Sequence, residues 1–136
     1  LALKEKVPVD AGYSGFKIHY PINTEEHTDE FAVFQGASYF RVVSEKQYYG
    51  LSARGLATNT AMPYPEDFPI FKEFWIQKPK KDDRSIIVYA LMDGKSAVGA
   101  FSFEFQPGKT TSTKVKAIIT LRKDVDRLGL APLTSM

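Results

Sequence analysis

The stretch from Ala97 to Gln106 constrains this chain more than any other. Phe101, Phe103 and Phe105 fall on one face, and Ser102 and Glu104 on the other. A period of two belongs to a strand with one face in a core, whereas a helix repeats its apolar face every three or four residues. The same alternation returns in Thr113 to Leu121, where Val115, Ala117, Ile119 and Leu121 oppose Lys114, Lys116 and Thr120. It also appears in Phe16-Lys17-Ile18-His19-Tyr20. No stretch sustains a helical stripe.

Turn residues divide the remaining strands. Pro21 is expected to end the first, because proline cannot donate to the ladder. Glu30 to Gln35 forms a short strand, and Gly36-Ala37 turns the chain into a strand over Ser38 to Ser44. Phe71 to Lys78 lies between Pro69 and Pro79. Ser85 to Met92 is a continuous apolar and β-branched run, expected to be covered on both faces at the centre of the core. Asp93-Gly94 and Pro107-Gly108 mark the turns that follow. Residues 55–69, punctuated by proline, read as a long loop of the kind that carries function. Asp124 to Gly129 reads as one helical turn stopped by Gly129. Short strands between turns predict an all-β fold, an antiparallel β-sandwich.

Composition excludes several function classes. The 136 residues suit one domain. A net charge of +2, with Lys and Arg scattered, lacks the footprint of nucleic-acid binding. The chain has no cysteine, which removes disulfides, zinc-thiolate sites and a Cys nucleophile. His19 and His27 are the only histidines, so no multi-His metal site is expected, and His19 reads as a polar-face strand residue. No apolar run approaches the roughly 18 residues of a membrane span, and no cofactor motif is found. Gly50 to Gly55 (GLSARG) is one residue too long for a nucleophile elbow. Gly108-Lys109-Thr110 lacks the earlier glycine of a phosphate loop, where Phe103 stands instead. Glu66, Asp67, Glu73, Asp93 and Glu104 are candidate carboxylates for sugar hydrolysis, but their order along the chain does not say which meet in space. The chain begins without Met and stops at Leu133-Thr134-Ser135-Met136, ends expected of cuts through a longer polypeptide.

A few residues look like a binding surface. Phe74 and Ile76 share an apolar face, which sends Trp75 to the opposite face beside Glu73 and Gln77. An aromatic ring among hydrogen-bonding groups suits a sugar, since the ring stacks on C–H surface while its neighbours bond hydroxyls. The plain alternative is a second layer that makes Trp75 core. Tyr48, Tyr49, Ser52 and Arg54 lie in the segment Gln47 to Gly55, whose Gly50 and Gly55 allow unusual backbone angles. Arg54 offers a planar fork of donors for a carboxylate or vicinal hydroxyls, or for pinning its own loop through backbone carbonyls. Tyr39 and Arg41 share the less apolar face of their strand.

At these segments the chain resembles a known family. Gly15-Phe16-Lys17-Ile18-His19-Tyr20-Pro21, Phe34-Gln35-Gly36-Ala37-Ser38-Tyr39-Phe40-Arg41 and Tyr49 to Ala57 (YGLSARGLA) are similar to stretches of the periplasmic glucans biosynthesis protein G and D family. So are Phe68-Pro69 with Phe74-Trp75, Tyr89-Ala90-Leu91, Gly99-Ala100-Phe101, Pro107-Gly108 and the terminal Leu128 to Met136 (LGLAPLTSM). The similarity runs from about Gly12 to the last residue, and in this order the motifs are specific.

The resemblance implies a periplasmic location in a Gram-negative bacterium and a role in making osmoregulated periplasmic glucans with a β-1,2-linked glucose backbone. It implies that residues 1–136 are one segment, the middle part of a large N-terminal domain built as a galactose-mutarotase-like β-supersandwich. Some members hydrolyse β-1,2-glucan by an inverting route with paired aspartates. The acidic motifs associated with that chemistry follow the A-P-L-T-S-M motif, so no catalytic residue carries over here. The expected role is scaffold and cleft wall of a glycoside hydrolase-like domain. The alternative is a non-catalytic carbohydrate-binding or assembly module that presents glucan to the membrane synthase. The residues expected to touch sugar are Tyr39, Arg41, Tyr49, Ser52, Arg54 and Trp75.

Overall fold

The computed structural model describes residues 12–48 and 50–134. Two antiparallel sheets and a short strand pair make up its regular structure. The first sheet has five strands in the order β1-β2-β3-β4-β11. These are Gly15–Thr24 (β1), His27–Gln35 (β2), Tyr39–Val42 (β3), Ser52–Arg54 (β4) and Leu133–Thr134 (β11). The second sheet is a four-stranded meander of Ile70–Ile76 (β6), Ile86–Asp93 (β7), Ala97–Gln106 (β8) and Ser112–Leu121 (β9). Leu56–Thr58 (β5) pairs with Leu128–Leu130 (β10).

Phenylalanine holds the two sheets together. Phe34 of β2 stacks on Phe16 of β1 at 5.1 Å between centroids. Across the interface it meets Phe74 of β6 at 5.0 Å and, edge to face, Phe103 of β8 at 5.0 Å. Phe40 of β3 meets the same Phe103 at 4.9 Å. Phe101, Phe103 and Phe105 are all buried on one side of β8, as their alternation requires. A bulge in β2 adds to this layer. Ile18 pairs with Ala32 and His19 with Glu30, which leaves Phe31 as the extra residue, buried against Phe105.

Several sequence expectations are corrected. Asp124 to Gly129 makes no helical turn. Gly129 instead pairs with Ala57 in a strand, where an added Cβ would stand 3.3 Å from the Ala57 Cβ and from Pro132. Glycine here marks close approach of two chains, not a helix stop. The first part of the 55–69 loop is the buried strand β5. Gly55, just before it, faces Phe71 so closely that a Cβ would meet the ring at 2.7 Å. Pro21 does not end β1, which continues to Thr24. It sits in an irregular stretch of an edge strand, where a missing N–H breaks no ladder bond. Ser85 to Met92 is covered on one face only: Val88, Ala90 and Met92 are buried, while Tyr89 and Leu91 are exposed on the other side.

The Phe34 ring touches both sheets, so its removal should leave a cavity that neither sheet can close alone. Phe34→Ala is expected to destabilise the protein by about 3–5 kcal/mol in urea unfolding. Ile118→Ala, at a side chain 77% exposed, should change stability by less than about 0.5 kcal/mol. Equal effects of the two would contradict this picture of the core.

Candidate functional site: the outer face of the first sheet

Alternation in β3 turns Phe40 and Val42 toward the core and leaves Tyr39 and Arg41 outside. Arg41 stands opposite Val33, and Val33 opposite Lys17, so both cations share the outer face. Glu30 lies between them. Its Oε1 accepts from Arg41 Nη2 at 3.0 Å, and its Oε2 lies 2.5 Å from Lys17 Nζ. The Lys17 hydrogen bond holds the Glu30 carboxyl below its ordinary value; partial burial opposes this, and the Arg41 hydrogen bond adds to it.

These groups sit in a polar groove of about 760 Å³, together with Asn23, Asp29 and Tyr48. One side of the groove is the turn after β3. There Lys46 takes a left-handed backbone, φ 60°, and its N–H donates to Asn23 Oδ1 at 2.7 Å. Ser44 N–H donates to Gln47 Oε1 at 3.1 Å. The turn is therefore fastened to the β1–β2 hairpin and presents Tyr48 to solvent, 93% exposed. Tyr49 lies outside the described residues.

Arg54 and Ser52 are on the same face of β4 but are buried. Tyr39 stands opposite Arg54, whose guanidinium carbon lies 5.6 Å from the Tyr39 ring centroid and 4.7 Å from that of Phe68. Arg54 Nη1 donates to Glu66 Oε1, which also accepts from Thr60 Oγ1 at 2.9 Å. Among the described residues, Arg54 Nε and Nη2 are buried without a hydrogen-bond partner. The guanidinium thus fastens the loop after β5 through a carboxylate.

The same loop is held at its far side. Asn59 Oδ1 accepts from the N–H groups of Asp126 and Arg127, at 2.9 and 3.2 Å. Arg127 Nη1 donates to the Thr60 carbonyl at 2.9 Å. Tyr64 O–H donates to the Asp126 carboxylate, which raises the Tyr64 pKa because the phenolate would lose that bond.

The candidate carboxylates are dispersed. Glu66 serves Arg54, and Asp67 Oδ2 accepts from Ser96 N–H at 2.7 Å. Asp93 lies 2.8 Å from Arg122 Nη1, and Glu104 pairs across the ladder with Lys114. Among the described residues, no group of three or more His, Asp or Glu is placed to hold a metal ion. No helix there is long and apolar enough to cross a membrane. Trp75 is on the second sheet, opposite Tyr89 and turned away from the core, so it does not join Tyr39, Arg41, Ser52 and Arg54.

Residues 2–136 match the family model described as "Periplasmic glucan biosynthesis protein, MdoG". The chain belongs to this periplasmic glucan biosynthesis family. It is 53% identical over 136 residues to the glucans biosynthesis protein G of Pseudomonas paraeruginosa (strain DSM 24068 / PA7), covering 100% of this chain and 26% of that relative. The same identity and coverage hold for the protein of that name from Pseudomonas aeruginosa (strain LESB58). The chain thus spans about a quarter of the length of these curated relatives.

In this family member, sequence reasoning missed Lys17, Glu30 and Phe68. Alternation with Phe16 and Ile18 marks Lys17 as outward. The Phe31 bulge shifts the register by one and hides the alignment of Glu30 with Arg41. The Glu30 cluster makes a pH prediction. A carboxylate with a lowered pKa stabilises the fold above its ordinary value of 4.5, and that contribution is lost as pH falls through the lower native value. Glu30→Gln should therefore be less stable than the parent at neutral pH, with the gap narrowing on acidification below pH 4.5. A gap independent of pH in urea unfolding would contradict the assignment.

Proposed function

We propose that this chain supplies scaffold and one wall of the glucan cleft in a periplasmic β-1,2-glucan-processing domain of the glycoside hydrolase-like kind. The observation that carries the reading is the polar groove around Arg41. Its lining combines fixed donors and acceptors of both charge signs with an exposed tyrosine on a fastened turn. Such a surface can bond hydroxyls along a neutral polysaccharide while the ring covers C–H surface. Tyr39, two residues before Arg41 on β3 and held against the Arg54 guanidinium of β4, extends the wall along β3. Ser52 and Arg54 act from behind this surface: Arg54 holds the Glu66–Phe68 segment in place.

The structural use of Glu66, Asp67 and Asp93 favours a second reading, a carbohydrate-binding or assembly module that presents glucan to the membrane synthase. The two readings separate in the protein as encoded by its gene. Release of oligosaccharides from linear β-1,2-glucan supports processing; retained binding without release leaves the assembly role. In either case Arg41→Gln, which keeps much of the side-chain volume, should weaken glucan binding by about tenfold. Parent-like affinity in a folded Arg41→Gln variant would remove the groove from the glucan path.

A further inference from the structure

The turn after β3 contains a strained residue, and one of the bonds that hold it comes from another element. Lys46 has φ 60°, a left-handed backbone that costs any residue with a Cβ and falls mostly to glycine and asparagine. A lysine stays there only where its surroundings dictate the conformation. They do so from two sides. The start of the turn is tied to the β8–β9 connection of the second sheet: Ser44 Oγ accepts from Thr111 N–H at 3.0 Å, and the Gly108 carbonyl accepts from Glu45 N–H at 3.2 Å. Within the turn, the Ser44 carbonyl accepts from Gln47 N–H at 3.1 Å. Lys46 itself is held from β1, where Asn23 Oδ1 accepts its N–H at 2.7 Å. The Asn23 backbone is fixed in turn, since its N–H donates to Asp29 Oδ2 at 3.2 Å across the β1–β2 hairpin.

We propose that Asn23 is a positioning residue of the Arg41 groove. Its side-chain carbonyl holds Lys46 in the left-handed conformation, and this sets Lys46, Gln47 and Tyr48 as a preformed wall facing Lys17, Glu30 and Arg41. The inference rests on the glucan reading above for the identity of the ligand. Two features separate it from a role in the fold alone. Asn23 is exposed, and a single exposed hydrogen bond contributes little to global stability. The strain it maintains lies in the groove lining, where a conformation fixed before binding reduces the entropy lost on binding. Without the Asn23 acceptor, the second sheet would still hold the start of the turn, but Lys46 would be free to relax to negative φ and carry Tyr48 with it. Affinity then falls by the fraction of molecules whose wall remains in place.

The test uses the protein as encoded by its gene and takes two readouts, Lys46 amide exchange in the free protein and affinity for linear β-1,2-glucan. Asn23→Ala should speed exchange at Lys46 and bind glucan about fivefold more weakly, while keeping the parent's unfolding midpoint. Asn23→Asp, which keeps an acceptor at the same place, should recover most of both. In a Tyr48→Ala background the same Asn23→Ala change should cost less than about twofold, because the ring it places is gone. Unchanged Lys46 exchange, parent-like affinity of Asn23→Ala, or losses that simply multiply in the double variant would overturn the inference and leave the groove to the Arg41→Gln result. A lowered unfolding midpoint in Asn23→Ala would assign the residue to the fold and overturn it as well. Failure of the parent itself to bind glucan would overturn the functional reading, and with it the glucan role of Asn23, whatever the exchange shows.

Discussion

Phe34 is the point on which the rest of the structure depends. Its ring packs against phenylalanines of its own sheet and of the opposite one, in stacked, tilted and edge-to-face contacts. Such pairs contribute roughly 0.5–1.5 kcal/mol each beyond the area they bury. They also fix orientation. With Phe34 and Phe40 facing inward, Tyr39 and Arg41 must face outward on the first sheet. With Phe74 and Phe103 facing inward, Trp75 and Tyr89 must face outward on the second. The two outer faces lie on opposite sides of sheets packed about 10 Å apart. Aromatic packing inside therefore decides which aromatics remain available outside.

The parts of the fold that could be read from sequence are those whose strands are long enough to show a period. β8 and β9 alternate over ten residues each, and their faces follow directly. The strands β4, β5, β10 and β11, at two or three residues, carry no period at all. Their existence depends on partners far along the chain, such as Leu130 opposite Leu56. Gly129 shows the ambiguity well, since glycine serves equally as a helix stop and as a place where two backbones meet. The apolar run Ser85 to Met92 misleads for another reason. Tyr89 and Leu91 are apolar in composition, yet they stand on the uncovered face.

The candidate site was legible in the same uneven way. Trp75 could be placed on the outer face because Phe74 and Ile76 bracket it. The burial of Arg54 could not, because Glu66 and Phe68 reach it only once the loop has folded back across the sheet. Its Nε and Nη2, without a hydrogen-bond partner among the described residues, cost roughly 1–3 kcal/mol by ordinary desolvation. That cost sits where the Asn59, Thr60, Tyr64 and Glu66 contacts hold one loop rigid. Arg54 shapes the surface from beneath while Arg41, Tyr48 and Tyr39 form its exposed part.

The central claim is that a family member of this kind meets glucan through the outer face of its first sheet, positioned by a phenylalanine core. Amide hydrogen exchange with and without linear β-1,2-glucan tests it most directly. The account predicts slower exchange on glucan addition in Asn23–Thr24 and in Ser44–Tyr48, with the core strand β8 unchanged. Slowing spread evenly over all strands, or absent from these segments while glucan is bound, would contradict it.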